Sequence, residues 1–168
     1  MHYAGIKNCD TANGPGFRVS LFVSGCRRAC KGCFNKEAWN FNYGQEFTHE
    51  TMQEILEMLD DPNISGLSIL GGDPFEPENR RTVDDICFVV KMLKPNKTIW
   101  VWTGYMLEDI RDLDMMRYID VLIDGPFIEE LKDLRLDWRG SSNQRVIDVR
   151  KSIEYGCATR YCGKEDWK

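Results

Sequence analysis

The sequence predicts an α/β fold with mostly parallel strands. Short apolar segments typical of strands alternate along the chain with segments whose apolar residues recur at helical spacing. Such alternation favours a parallel sheet joined by right-handed crossovers. A polar loop containing glycine follows each of the four predicted strands. Because ligands bind at the carboxyl ends of strands in α/β sheets and barrels, we expect these four loops to form one site.

The four predicted strands are short and rich in β-branched or aromatic residues. The first, "FRVSLFVS" (17–24), alternates in polarity and runs directly into a cysteine-rich loop. The other three are "GLSIL", which ends in "GGDP", "TIWVW", which ends in "TGY", and "IDVLID", which ends in "GPF".

Three helices are predicted between these strands. The first follows Thr48 as its N-cap. Its apolar residues at helical spacing are Met52, Ile55, Leu56 and Leu59. The second covers 82–93 and places Cys87 on its apolar face, where a free cysteine packs as a small hydrophobic residue. A short third helix is expected over 107–113.

The composition predicts a single globular domain over residues 1–168, with a tail of unassigned role from about residue 150. A chain of 168 residues with 42% hydrophobic content can bury a sizeable core without disulfides. The N-terminal segment has no signal pattern, and no apolar run approaches the roughly 20 residues that span a bilayer. We therefore expect a cytoplasmic protein without membrane contact, in which clustered cysteines bind metal or act in redox chemistry.

Charge and histidine content narrow the function further. A net charge of −5 argues against a general nucleic-acid surface. The two histidines, His2 and His49, offer little for histidine-dependent acid–base catalysis or a histidine-rich metal site.

Three of the seven cysteines lie close together in "SGCRRACKGCFN" (24–35). They are Cys26, Cys30 and Cys33. Thiolates hold iron–sulfur clusters, and a four-iron cluster ordinarily takes one cysteine per iron. Three cysteines would leave one iron free to bind a small molecule directly, so the spacing favours an open 4Fe-4S cluster.

Three other interpretations of the same cysteines stay open on spacing alone. They could share the buried face of a helix, although Gly25, Gly32 and the basic residues between them argue against that. They could bind zinc with Cys9 or a tail cysteine as fourth ligand, although structural zinc usually shows paired C-x2-C units. A redox thiol pair would normally need two cysteines.

The segment "LGGDPF" (70–75) is a second candidate site. Two adjacent glycines let a backbone approach a ligand without interference from Cβ atoms, but an ordinary strand-to-helix turn explains them equally well. The segments "DGPF" and "TGY" are likewise compatible with simple turns.

Taken in order, these motifs resemble the radical S-adenosylmethionine superfamily, which pairs C-x3-C-x2-C after the first strand with Gly-Gly-acid-Pro after the second. The closer resemblance is to the activating proteins of anaerobic (class III) ribonucleoside-triphosphate reductase. It rests on "NGPGFR", "LFVSGC", "CKGCFN", "GGDP", "WVWTGY", "DGPF" and "WRGSSNQR". The superfamily often has an aromatic residue before the third cysteine, whereas Gly32 matches this subgroup.

The resemblance implies a small incomplete barrel and a set of site residues. Cys26, Cys30 and Cys33 would ligate a 4Fe-4S cluster whose open iron binds S-adenosylmethionine. The residues implied to line that cofactor are Gly32, Cys33, Phe34, Gly71, Gly72, Asp73 and Asp124. Of these, Asp124 is equally expected to be a strand-end turn residue. No catalytic side chain is implied beyond the cluster and the cofactor.

The resemblance also implies the reaction and its partners. Reductive cleavage of S-adenosylmethionine would give methionine and a 5′-deoxyadenosyl radical, which takes a hydrogen atom from a glycine of the reductase large subunit. A heterotetramer with the reductase is implied, and "WRGSSNQR" is either a contact for it or a surface loop. The basic residues of the cysteine loop would suit an acidic electron donor such as flavodoxin, or are simply solvated. They are Arg27, Arg28, Lys31 and Lys36.

Two other functions remain open. The chain could activate another glycyl-radical enzyme, such as one resembling pyruvate formate-lyase. It could also be a non-catalytic interaction module that binds zinc or a cluster.

Overall fold

The structure is a computed structural model that describes residues 1–163. Its strands are β1 (His2–Asp10), β2 (Phe17–Val23), β3 (Gln45–Glu46), β4 (Ile64–Gly71), β5 (Thr98–Trp102), β6 (Val121–Asp124) and β7 (Arg145–Asp148). Its α-helices are α1 (His49–Met58), α2 (Pro77–Leu93), α3 (Leu107–Ile110) and α4 (Val149–Tyr155). None of these helices is long and apolar enough to cross a membrane, in the part of the chain described.

The strands form one sheet in the order β3-β1-β2-β4-β5-β6-β7. The neighbours β2, β4, β5 and β6 are parallel, whereas β1 and β7 run antiparallel to the strands beside them. Because β3 is antiparallel to β1, five of the seven strands run in the same direction. The predicted α/β class and mostly parallel sheet are confirmed. The sheet is not closed, with β3 at one edge and β7 at the other, so a barrel is not confirmed.

The main core lies on one face of the sheet, where α1 and α2 pack. Alternate residues of β2 point into it, because side chains of a strand alternate between its two faces. These residues are Val19, Leu21 and Val23. Cys87 of α2 lies fully buried in the same core, which confirms its predicted packing role.

A buried arginine organises the opposite face of the sheet. Arg18 of β2 donates hydrogen bonds to Ser68 Oγ at 2.6 Å, Leu67 O at 2.8 Å and Thr98 O at 2.9 Å. Burial lowers the pKa of this guanidinium to about 10. Its central carbon lies 5.4 Å from the centre of the Trp100 ring. Arg18 therefore ties β2 to β4 and β5 through polar groups rather than through a carboxylate.

The region after β7, which the sequence left unassigned, closes this second face. Helix α4 ends at Gly156 in the left-handed conformation, and the chain then returns along β7. There the Asp148 amide donates to Thr159 O and the Tyr161 amide donates to Val146 O, both at 2.9 Å. The Tyr161 ring lies 5.2 Å from that of Trp100.

Candidate metal centre

The cysteine loop begins at the end of β2 and is fixed at its start by backbone contacts. Gly25 has a φ of +98°, and a side chain there would overlap the ring of Phe41. Its amide donates to Ala38 O at 2.7 Å, and the Cys26 amide donates to Trp39 O at 3.2 Å. The 3-10 turn Glu37–Trp39 thus holds the first residues of the loop.

The three clustered thiols are all free and partly exposed. A turn closed by the Cys33 amide and Cys30 O, at 3.1 Å, brings the second and third cysteines onto one stretch of the loop. Burial is the main cause that raises the pKa of Cys26 to about 11. This thiol is therefore protonated at neutral pH, and a metal that bound it would have to displace the proton.

The three thiols suit one kind of metal site better than another. Within residues 1–163, no group of three or more His, Cys, Asp or Glu side chains is gathered so that it could hold a metal ion. A single ion draws all its ligands into one coordination sphere, whereas a 4Fe-4S cluster takes each thiolate on a different iron. Three soft thiol donors on one loop fit such a cluster in chemical type.

The Gly-Gly turn after β4 packs directly on the cysteine loop. The Gly72 amide donates to Val23 O at 2.7 Å, and the Asp73 amide donates to Gly25 O at 2.8 Å. A Cβ atom on Gly72 would lie 2.6 Å from Gly25 O. The absence of a side chain at Gly72 therefore permits the close approach of two protein backbones, in addition to any approach to a ligand.

Asp73 joins the loops that follow β4 and β5. Its carboxylate is 1% exposed and accepts hydrogen bonds from Thr103 Oγ1 at 2.7 Å, the Gly104 amide at 3.0 Å and the Phe75 amide at 3.0 Å. Burial raises the pKa of Asp73 above its ordinary value, although these hydrogen bonds oppose the shift. The hydrogen-bonding capacity of the carboxylate is thus satisfied within the protein. Asp73 thereby fixes the loops at the carboxyl ends of the parallel strands, which together form the mouth of the sheet.

Arg28 connects the cysteine loop to the same mouth. Its guanidinium carbon lies 4.2 Å from the centre of the Tyr105 ring, in cation–π geometry. Its Nε lies 3.6 Å from Asp73 Oδ2. The side chain also passes so close to Gly104 that a Cβ atom there would overlap it.

Asp124, at the end of β6, is fully buried in a polar network. It accepts a hydrogen bond from the Leu107 amide at 2.8 Å and another from Arg145 Nε at 2.9 Å. Arg145 also pairs with Glu108 at 2.8 Å. The amide of Gly125, the residue after Asp124, donates to Tyr105 O at 3.1 Å. The loops after β2, β4, β5 and β6 are therefore joined, which confirms the predicted convergence at one mouth.

The second half of the cysteine loop faces the 3-10 turn Glu129–Leu131. Gly32 has a φ of +73°, and a Cβ atom there would lie 2.6 Å from Glu129 Oε1. Lys31 pairs with Glu129 at 3.3 Å and with Glu130 at 3.1 Å. Phe34 is 93% exposed at the end of the loop.

The basic residues of the loop are largely paired with acids of the same chain. Arg27 pairs with Glu76 and Glu78, and Lys31 pairs with the acidic 3-10 turn described above. The local positive charge expected to attract an acidic electron donor is thus mostly balanced within the chain, because paired charges present little net field to a partner.

Sequence reasoning missed the side chains that join these loops. Besides Thr103, Arg145 and Glu76, these include Asn79, whose buried amide donates to Ser24 O at 3.0 Å and to Asp73 O at 2.9 Å. Pro77 was an available signal for two of them, because proline favours the first turn of a helix. A helix that begins at Pro77 places Glu76 and Asn79 close to the end of β4.

Comparison with known proteins defines first the class and then the family. A family model described as a 4Fe-4S single cluster domain matches residues 12–147, which identifies the chain as a protein of that class. An "Anaerobic ribonucleoside-triphosphate reductase-activating protein" of Enterobacteria phage T4 is 47% identical over 146 residues, covering 87% of this chain and 93% of the relative. The protein of the same name from Escherichia coli (strain K12) is 45% identical over 157 residues, covering 89% of this chain and all of the relative.

With identity at this level over most of both sequences, the chain belongs to the family of anaerobic ribonucleoside-triphosphate reductase-activating proteins.

Proposed function

We propose that this protein activates an anaerobic ribonucleoside-triphosphate reductase by generating a glycyl radical on it. The proposal rests on family membership and on one structural observation. Three free thiols stand on the loop after β2, which is hydrogen-bonded to the Gly-Gly turn after β4. Cys26, Cys30 and Cys33 would hold a 4Fe-4S cluster and leave one iron open.

When bound, the cluster and S-adenosylmethionine would supply the chemistry, namely one-electron cleavage of the sulfonium and removal of a hydrogen atom from the reductase glycine, with methionine and 5′-deoxyadenosine as products. The protein supplies position. Asp73 and Asp124 fix the loops around the mouth, so that backbone at Gly71 and Gly72 and the exposed side of Gly32 and Phe34 can line the cofactor.

The remaining parts of the proposal follow the same resemblance. The open sheet, with five strands in one direction, would serve as an incomplete barrel. The partner would be the large subunit of the reductase, in a heterotetramer and in the cytoplasm, with flavodoxin as the candidate electron donor. Lys36, which makes no ion pair within residues 1–163, supports a basic contact for such a donor.

The test mixes the reconstituted, reduced protein with S-adenosylmethionine and anaerobic ribonucleotide reductase without oxygen. We expect a glycyl radical doublet by electron paramagnetic resonance, together with ribonucleotide reduction. Replacing Cys26, Cys30 or Cys33 with Ala should abolish both signals, whereas Cys87→Ala is the matched control because this thiol is buried in the core. Its loss should leave cofactor cleavage intact.

Other outcomes would assign other functions. A radical formed only on a pyruvate formate-lyase-type partner would keep the chemistry and change the substrate. Colourless protein that carries stoichiometric zinc and cannot accept a cluster would favour a binding module. Release of methionine and 5′-deoxyadenosine with turnover of an added small molecule, and with neither protein partner, would exclude the activating role.

A further inference from the structure

Glu76 is a buried carboxylate that the proposed function does not use. It is the residue before α2, and its side chain is 2% exposed. It makes no side-chain capping hydrogen bond to its own helix, unlike the shorter carboxylate of Asp, which commonly caps a helix at that position. Its two oxygens are directed instead to the cysteine loop, 49 residues earlier in the sequence.

Both oxygens of Glu76 bind the same residue of that loop. Oε1 accepts a hydrogen bond from the backbone amide of Arg27 at 2.8 Å. Oε2 accepts one from Nη1 of the Arg27 side chain at 2.9 Å. The guanidinium offsets the cost of burying the carboxylate, and the carboxylate in turn fixes a backbone amide through a charge-assisted hydrogen bond.

The Arg27 amide belongs to the peptide unit that Cys26 shares with Arg27. Because a peptide unit is planar, a hydrogen bond to its N–H orients the whole unit on the carboxyl side of the Cys26 Cα atom. The peptide unit on the other side is held by the hydrogen bond from the Cys26 amide to Trp39 O at 3.2 Å. The two backbone dihedral angles of Cys26 are therefore set from both sides.

Glu78 provides a contrast within the same cluster of charges. It also binds Arg27 Nη1, at 2.7 Å, but it is 49% exposed and contacts the side chain rather than the backbone amide. Screening by solvent makes such an exposed ion pair weak. The two glutamates thus share one partner and differ in whether they hold the backbone beside Cys26.

We propose that Glu76 is a positioning residue for Cys26, which sets the backbone of this thiol before the cluster binds. The inference rests on the proposed function in one respect, that Cys26 is a cluster ligand. The hydrogen bond to the Arg27 amide and its effect on the Cys26 backbone do not depend on that assignment.

The experiment uses the full-length protein without iron, under reducing and anaerobic conditions. Hydrogen exchange of the Arg27 amide is measured by NMR, and alkylation of Cys26 by iodoacetamide is measured by mass spectrometry with Cys30 and Cys33 as internal references. In Glu76→Ala we expect Arg27 exchange to be about 10–100-fold faster, the range for loss of a hydrogen bond to a charged group. Cys26 alkylation should rise relative to the two other thiols, and Glu78→Ala should change neither quantity.

A second arm measures release of iron to a chelator after reconstitution, together with the electron paramagnetic resonance spectrum of the reduced cluster. Glu76→Ala should release iron faster and alter the spectrum, whereas Glu78→Ala should match the wild type. A general loss of stability would not change Cys26 selectively against the other two thiols. If Glu76→Ala fails to fold, Glu76→Gln carries the test, because its amide oxygen can still accept from Arg27 and an intermediate exchange rate is expected.

Unchanged Arg27 exchange in a folded Glu76→Ala protein would overturn the inference. Faster exchange with unchanged iron release would overturn its link to the cluster. If Cys26 is not a cluster ligand, the Cys26→Ala variant will retain the full cluster. That outcome would leave the exchange result for the iron-free protein unaffected.

Discussion

The contact between Gly72 and the cysteine loop can be tested by adding a single methyl group. In Gly72→Ala the new Cβ atom would lie 2.6 Å from Gly25 O, 2.9 Å from Gly25 N and 3.0 Å from Ala38 O. All three neighbours are backbone atoms, so no side chain can rotate away. Ordinary contact distances begin at 3.4 Å, and the turn must therefore move by about 0.8 Å from the loop.

The expected cost follows from that geometry. Overpacking of this kind costs about 1–3 kcal/mol, which lowers the melting temperature by roughly 2–12 °C in a chain of this size. Gly5 offers a matched control, because a Cβ atom there meets no atom within 4 Å. Gly5→Ala should be neutral, or stabilising by up to about 1 kcal/mol, because alanine lowers the conformational entropy of the unfolded chain.

The assay is urea unfolding of the iron-free variants under reducing, anaerobic conditions, followed by cluster reconstitution. Gly72→Ala should unfold at lower urea than Gly5→Ala and retain less iron, since the moved turn weakens the hydrogen bond from the Asp73 amide to Gly25 O. Unfolding free energies of the two variants that agree within about 0.5 kcal/mol would refute the steric argument.

Three further predictions concern polar groups and the tail. Asp73→Asn should lower the unfolding free energy by about 1–3 kcal/mol in urea titrations, because an amide cannot accept hydrogen bonds at both positions that Asp73 uses; equal stability would contradict this. Burial favours the protonated form of Cys26, so its alkylation in the iron-free protein should be about 100-fold slower at pH 8 than that of an ordinary thiol with pKa 9.0. The alkylation rate should rise until pH about 11. A plateau near pH 9 would show that the pKa of this thiol is not raised. Tyr161→Ala should cost at least about 0.5–1.5 kcal/mol in thermal unfolding, the contribution of its ring pair with Trp100 alone. An unchanged melting curve would indicate that the tail does not pack as described.

The central strands and first helix were predictable because their signals are local. The apolar runs of β4, β5 and β6 match the predicted segments closely, and Thr48 caps α1 as expected, accepting a hydrogen bond from the Thr51 amide. Strand β1 was missed because bulges interrupt its pairing and its burial follows no period of two. Helix α2 starts five residues before the predicted position, since Pro77 and a polar first turn carry no apolar period.

The candidate site was predictable as a set of loops but not as a network. Glycines and cysteines mark each loop in the sequence, whereas the pairing of Asp73 with Thr103 joins positions 30 residues apart. Such pairs depend on the register between neighbouring strands, which short sequence patterns do not encode. The same reason hid the partner of Asp124, because Arg145 lies on a strand that sequence analysis did not find.

The anchoring of the cysteine loop by later parts of the chain sets an order of events during synthesis. Arg27 and its anchor Glu76 are 49 residues apart, so at about 5–20 residues per second the thiols are made about 2–10 s before the anchor. Until β4 pairs with β2 and α2 begins, the three cysteines are a reactive segment of a nascent chain, open to oxidation or to stray metal ions. If these thiols hold the proposed cluster, delivery of iron and sulfide is best timed after folding, when the thiols first stand in a defined loop.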